Sequence, residues 1–165
     1  MNEVELMSKE ELQAVKKDLV ILFVDDNEKI RDQMVRGLES VFDTVIPAED
    51  GLDALKVMEK IYVDVVVSDI NMPKMDGVEL IKKVRENEKV KPIIVTTAYD
   101  DFREVYKSIP NISLLIKPYT IYDVIKCINR SEALIEANKY QDDNFKKLAE
   151  VSEIAKNILR ELKGA

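Results

Sequence analysis

The sequence holds no histidine and a single cysteine, Cys127. Imidazole catalysis and zinc sites of the Cys/His kind are thereby excluded, because nothing in the chain supplies ring nitrogens or a second thiolate. No internal disulfide can form, and Cys127, in the stretch Asp-Val-Ile-Lys-Cys-Ile, reads as small apolar filler on a helix. A resident metal must then be a hard cation held by oxygen, Mg2+ before all others. A basic block is missing too: 25 Lys and Arg stand against 32 Asp and Glu, for a net charge of −7. That balance disfavours nucleic acid or an anionic membrane as a direct partner. There is neither a leader segment nor an apolar run long enough to span a bilayer, which predicts a cytoplasmic protein.

What is present amounts to about one core-bearing domain and a polar remainder: 165 residues, 46% hydrophobic and 35% charged. The most telling stretch is Val63 to Gly77. Val65, Val66 and Val67 form a β-branched run too short for a helix and suited to a strand buried on both faces. It ends at Ser68-Asp69, after which Pro73 and Asp76-Gly77 break regular structure. Asp69 is therefore expected at the carboxyl end of a buried parallel strand, where open α/β sheets bind ligands.

The rest of the chain repeats the pattern. Leu19 to Val24 reads as a strand ending in Asp25-Asp26, followed by a helix from Lys29 to Val41. A strand from Thr44 to Ala48 leads through Asp50-Gly51 into a helix carrying Leu52, Leu55, Val57 and Met58. Beyond the Asp69 strand come a helix from Val78 to Glu86, with Leu80, Ile81 and Val84 inward, and a strand, Ile93 to Val95, ending at Thr96-Thr97. Phe102, Val105, Tyr106 and Ile109 suggest an irregular helix before Pro110. Ile112 to Ile116 is a fifth strand, closed by Lys117-Pro118, and a long helix begins near Thr120. Five alternations predict an α/β fold, a flavodoxin-like five-stranded parallel sheet of order 2-1-3-4-5 with helices on both faces and an extended C-terminal helix. Domain limits follow: an N-terminal helical extension over 1–17 (Ser8-Lys9-Glu10-Glu11 has capping-box spacing), the sheet domain over 18–137 and a helical tail over 138–165.

That strand order brings Asp25, Asp26 and Asp69 to one crevice. Three carboxylates within about 4 Å would repel by roughly 4 kcal/mol per pair at an effective dielectric near 20, so the cluster implies a divalent cation or a shared proton. Thr97 and Lys117 end the fourth and fifth strands and face the same crevice. A cation site, a nucleophilic carboxylate, a hydroxyl and an ammonium together suit phosphoryl transfer.

These residues, Val24-Asp25-Asp26, Ala48-Glu49-Asp50-Gly51, Ser68-Asp69-Ile70-Asn71-Met72-Pro73, Met75-Asp76-Gly77, Thr97-Ala98 and Lys117-Pro118, resemble the receiver domain of bacterial response regulators, of the chemotaxis-regulator kind. The resemblance covers roughly residues 18–137. It implies that Asp69 accepts a phosphoryl group from a sensor histidine kinase. Asp26, Asp69 and the Asn71 carbonyl would hold Mg2+, with Asp25 acting through water. Lys117 would pair with the phosphoryl group, Thr97 would move to it, and Lys117-Pro118 would be a cis peptide. The downstream partner is not implied, and no enzymatic activity beyond the gain and loss of the phosphoryl group is expected.

Two departures stand out. Leu114 occupies the position three before the Lys where the family usually has Tyr or Phe, and the Gly-Ala usual before the last strand is missing. Three alternatives compete with the signalling switch. A phosphatase would need an acid at Asn71, a flavin binder would need a Ser/Thr/Gly-rich loop after the first strand, and a degenerate receiver would serve only as a dimerising scaffold. The chain can also be read as the regulatory part of a longer protein with an enzymatic output domain. In the tail, Leu148, Val151, Ala155, Ile158 and Leu162 alternate steps of three and four, a coiled-coil seam that predicts a homodimer, against a helix folded back on its own domain. Asp142 with Lys146 and Asp143 with Lys147 support the helix. Asn138 to Asn144 either breaks that helix or lines its exposed face.

Overall fold

Short apolar runs, β-branched at the centre of the sheet, form the strands, and amphipathic segments cover them. The computed structural model describes residues 17–87, 91–99, 103, 106 and 109–164. In chain order the elements are β1 (Lys17–Val24), α1 (Glu28–Glu39), β2 (Phe42–Ala48), α2 (Gly51–Lys60), β3 (Val65–Asp69), α3 (Gly77–Asn87), β4 (Ile93–Thr97), β5 (Ile112–Ile116), α4 (Ile121–Arg130) and α5 (Glu132–Lys163). The strands are all parallel, in the order β2-β1-β3-β4-β5, as expected. Every residue of β3 and β4 is buried, which is why both read as uninterrupted apolar runs. The edge strand β2 is buried only at Phe42, Val45 and Ala48 and tolerates Pro47 in its pairing with Phe23. The expected N-terminal helix, and Phe102 and Val105 of the segment before Pro110, lie outside the described residues. Within that segment Arg103 and Tyr106 are helical, and Tyr106 is buried.

Two apolar clusters sandwich the sheet. One joins Ile21, Phe23, Val65 and Val67 to Met34 and Leu38 of α1 and Val124 and Ile128 of α4. The other joins Leu22, Val24, Val66 and Val95 to Ala54 of α2 and Leu80, Ile81 and Val84 of α3. Cys127 is a buried member of the first, as the sequence suggests. Of the apolar residues expected on α2, Leu55, Val57 and Met58 pack against the second cluster beside the buried Ala54, while Leu52 is exposed.

The helix expected from Thr120 onward is divided at Ser131, which closes α4 and opens α5. The Ser131 Oγ donates to the Cys127 carbonyl at 3.1 Å, within the last turn of α4. Beyond it α5 runs 32 residues, about 48 Å at 1.5 Å per residue, without a break at Asn138 to Asn144. Its first two turns dock on the domain. Ile135 is buried, the Lys17 Nζ meets Glu132 Oε1 at 3.1 Å, and the Lys139 Nζ donates to the Asp18 carbonyl at 2.8 Å and lies 3.8 Å from Asp64 Oδ1.

Candidate functional site

Strand register assembles the site. Val24 pairs with Ser68, Asp69 with Thr96, and Thr97 with Ile116, so Asp25, Asp69, Thr97 and Lys117 leave the sheet along one edge. Local geometry then fixes each loop. The Asn27 side chain caps α1 by accepting from Ile30 N at 3.2 Å, and Arg31 Nη1 donates to the Asp25 carbonyl at 2.7 Å. After β3 the chain folds back at Gly77, whose N–H donates to the Ile70 carbonyl at 2.8 Å. A Cβ there would stand 2.4 Å from the Asp69 carbonyl oxygen, so no larger residue fits without moving the Asp69 backbone.

The carboxylates of Asp25, Asp26 and Asp69 each offer an oxygen within 4.8 Å of the others. Asp26 is exposed, while Asp25 and Asp69 are buried. Asp69 Oδ1 accepts from Ile70 N at 2.8 Å and its Oδ2 from Lys117 Nζ at 3.0 Å. Asp25 Oδ1 accepts from Asn27 N at 2.9 Å, but its Oδ2 is buried without a hydrogen-bond partner. Burial pushes the Asp25 carboxyl above its ordinary range, against the pull of the Asn27 N–H, and the charges of Asp69 and Asp26 add to the rise more than Lys117 offsets. The cluster is thus short of positive charge. Three hard oxygens converging around one uncompensated carboxylate fit a divalent cation of the Mg2+ kind.

Lys117 N donates to the Thr97 carbonyl at 2.7 Å, and the Lys117-Pro118 peptide is cis, as the resemblance implies. Thr97 is fully buried, with its Oγ1 accepting from Tyr99 N at 3.2 Å. Asn71 lies exposed on the loop after β3. Among the described residues no hydrogen bond joins the Thr97 or Asn71 side chain to the carboxylates.

Two groups at this edge escaped the sequence reading. Lys74, at φ 64°, meets the buried Asp50 at 3.1 Å and Glu49 at 3.7 Å, fastening the loop after Asp69 to the start of α2. Against the penalty of burial, hydrogen bonds from Asp53 N and Lys74 hold the Asp50 carboxyl below its usual range. The second is Tyr119, two residues after Lys117. Its hydroxyl is buried without a partner at hydrogen-bond geometry. Burial pushes it up to about 12; Thr96 nearby pulls the other way, and the charges of Asp25 and Asp69 add to the rise. Tyr119, Lys117 and Pro118 line a cavity of about 300 Å3 with Ile30, Gln33 and Met34 of α1. A hollow of about 330 Å3 between α2 and α3 has none of the site's residues in its wall.

The profile of the response regulator receiver domain matches residues 21–129. The chain belongs to that family. The receiver domain is 39% identical over 111 residues to the sensor histidine kinase RcsC of Escherichia coli K12, an alignment covering 66% of this chain and 12% of the kinase. The chain therefore spans only a small part of that relative. The chemotaxis protein CheY4 of Vibrio cholerae shares the receiver fold at a TM-score of 0.63 and 31% identity, over 69% of this chain and 98% of that one. The response regulator TrrA of Thermotoga maritima, solved in complex with Mg2+ and BeF, gives a TM-score of 0.61 at 29% identity, over 68% of this chain and 97% of TrrA.

Proposed function

We propose that this receiver domain takes a phosphoryl group onto Asp69 from a phosphohistidine of a sensor histidine kinase, and that the modified state changes a protein-interaction surface. The observation that carries the reading is the Asp69 carboxylate itself, buried at a strand end with a lysine ammonium 3.0 Å from Oδ2 and two further carboxylates alongside. An Asp69 oxygen would attack phosphorus in line. As the new O–P bond forms, the P–N bond breaks, and its electron pair stays on the imidazole nitrogen, which takes a proton from solvent. The Lys117 ammonium would then turn from the carboxylate to the phosphoryl oxygens, and the Thr97 hydroxyl would leave Tyr99 N to reach them.

Asp26, Asp69 and the Asn71 carbonyl would hold Mg2+, with Asp25 acting through water. When bound, the cation supplies positive charge against the phosphoryl oxygens. The gain and loss of the phosphoryl group would be the chain's only chemistry, since Asn71 cannot protonate a leaving group as a phosphatase acid would. A receiver-bearing sensor kinase and a Mg2+–BeF complex among the similar proteins support both the donor class and the cation. Among the described residues no helix is long and apolar enough to cross a membrane, in keeping with a cytoplasmic role.

The test is uptake of beryllofluoride, a phosphoryl mimic, with Mg2+, followed by calorimetry. The wild type should bind it and Asp69→Asn should not. A wild type that binds no beryllofluoride at any Mg2+ concentration overturns the reading.

One observation favours a second element of function, homodimerisation through α5. Val151, Ile158 and Leu162 are exposed by 64%, 52% and 69%. At 100° per residue this stripe, with Ala155, is centred about 170° around the helix from the docked Ile135. It faces away from its own domain, so a helix folded back on that domain would not cover it. A seam of alternating steps is self-complementary, and a second copy of α5 is the partner it fits. Leu148 and the Asp142–Lys146 and Asp143–Lys147 pairs lie outside the described side chains.

A further inference from the structure

The relay that couples the acid edge to a surface needs a side chain able to move, and the position three before Lys117 offers Leu114, half-buried in the core on the α2–α3 side of the sheet. Tyr119 lies on the other side, its ring packed against the α1–α4 cluster and its hydroxyl close enough to the acid edge to feel Asp25 and Asp69. Two buried groups at this edge lack a partner at hydrogen-bond geometry: a donor, the Tyr119 hydroxyl, which has only Thr96 beside it, and an acceptor, Asp25 Oδ2. Buried polar groups left unpaired mark an arrangement that a neighbouring one relieves. The cavity of about 300 Å3 between Tyr119 and α1 is the room such a rearrangement needs.

We propose that Tyr119 is a positioning residue that reads whether the acid pocket is filled and passes this to the face of α1. The proposal rests on the receiver chemistry above and adds to it the group that reports. With the pocket free, the hydroxyl is the donor available to Asp25 Oδ2, directly or through one water. Once Asp25 is engaged and Lys117 turns to a phosphoryl group, that acceptor is lost. The segment Lys117 to Tyr119 then follows the lysine, and the ring shifts within the cavity against Ile30, Gln33 and Met34. Arg31, which donates to the Asp25 carbonyl, ties the same helix to the same loop.

The experiment uses the full chain with 3-fluorotyrosine at its six tyrosines, and Tyr119→Phe to assign one resonance. Fluorine spectra are recorded as Mg2+ and beryllofluoride are added, and bound beryllofluoride gives its own signals, so filling of the site is read in the same sample. The Tyr119 resonance is expected to shift in step with those signals. A fluorinated label on Gln33→Cys, exposed on α1, should shift as well and lose most of that response when Tyr119→Phe is added. A filled site with an unmoved Tyr119 resonance, or a label response equal in both backgrounds, overturns the proposal while leaving the receiver chemistry standing. Absence of bound beryllofluoride overturns both.

Discussion

Replacing Asp25 by Asn should stabilise the cation-free protein while weakening its response to Mg2+. Asp25 is almost fully buried, and its carboxylate lies within 4.8 Å of those of Asp26 and Asp69. At that distance a pair of full charges repels by about 3.5 kcal/mol at an effective dielectric near 20. Solvent around the exposed Asp26 and the Lys117 ammonium beside Asp69 reduce this, leaving a net gain of about 1–3 kcal/mol for the neutral residue. The Asn oxygen can still accept from Asn27 N, so the loop keeps its hydrogen bond. In a chain of this length the gain corresponds to a Tm rise of about 2–12 °C. The pH dependence has a definite sign. The folded Asp25 pKa is raised, so the native state holds the proton more tightly than the unfolded chain does. Stability from this group is therefore full in acid and is lost as pH rises from the ordinary carboxylate value through the folded one. The gap between variant and wild type should close as pH falls toward 4. Thermal unfolding in EDTA across that range, repeated in millimolar Mg2+, is the assay. In Mg2+ the wild type should gain stability by mass action and the variant far less. A variant less stable than wild type in EDTA, or one that Mg2+ stabilises equally, would refute the charge-crowding argument.

Other perturbations follow from the same geometry. Lys117→Ala should destabilise the protein by about 1–3 kcal/mol, the opposite sign to Asp25→Asn, because it strips the charge partner from the buried Asp69; chemical denaturation checks it, and no loss would mean a solvated surface lysine. Gly77→Ala should lower stability by about 1–3 kcal/mol and weaken beryllofluoride binding, since the new Cβ collides with the Asp69 carbonyl. Val151→Glu with Ile158→Glu should turn the dimer into a monomer in light scattering at micromolar concentration, and a wild type already monomeric there would discard the α5 seam.

The strands and their ends were legible because strands buried on both faces leave short apolar runs: Asp69 and Thr97 end the fully buried β3 and β4, Asp25 follows the apolar run of β1, and Lys117 follows the half-buried Ile112–Ile116. β1 takes in Lys17, ahead of the apolar run, because its N–H donates to the Val41 carbonyl at 2.9 Å while its ammonium meets Asn129 and Glu132. The break at Ser131 carries no Gly or Pro to announce it; the buried Ile135 docks the new helix, and no local propensity encodes that contact. Tyr119 and the Lys74–Asp50 pair escaped for the same reason. Their roles arise from what α1 and the β2–α2 loop bring near them, while their own neighbours in sequence read only as loop.

The central claim, that Asp69 alone is the phosphoryl acceptor, is tested most directly by locating the modification. The protein is incubated with phosphoramidate and Mg2+, trapped with borohydride and mapped by mass spectrometry. Borohydride reduces an aspartyl phosphate to homoserine with release of phosphate, so the account predicts one homoserine per chain, at position 69, and none in EDTA or in Asp69→Asn. A label on Asp25, Asp26 or any other residue of the wild type, or undiminished labelling of Asp69→Asn, would contradict it.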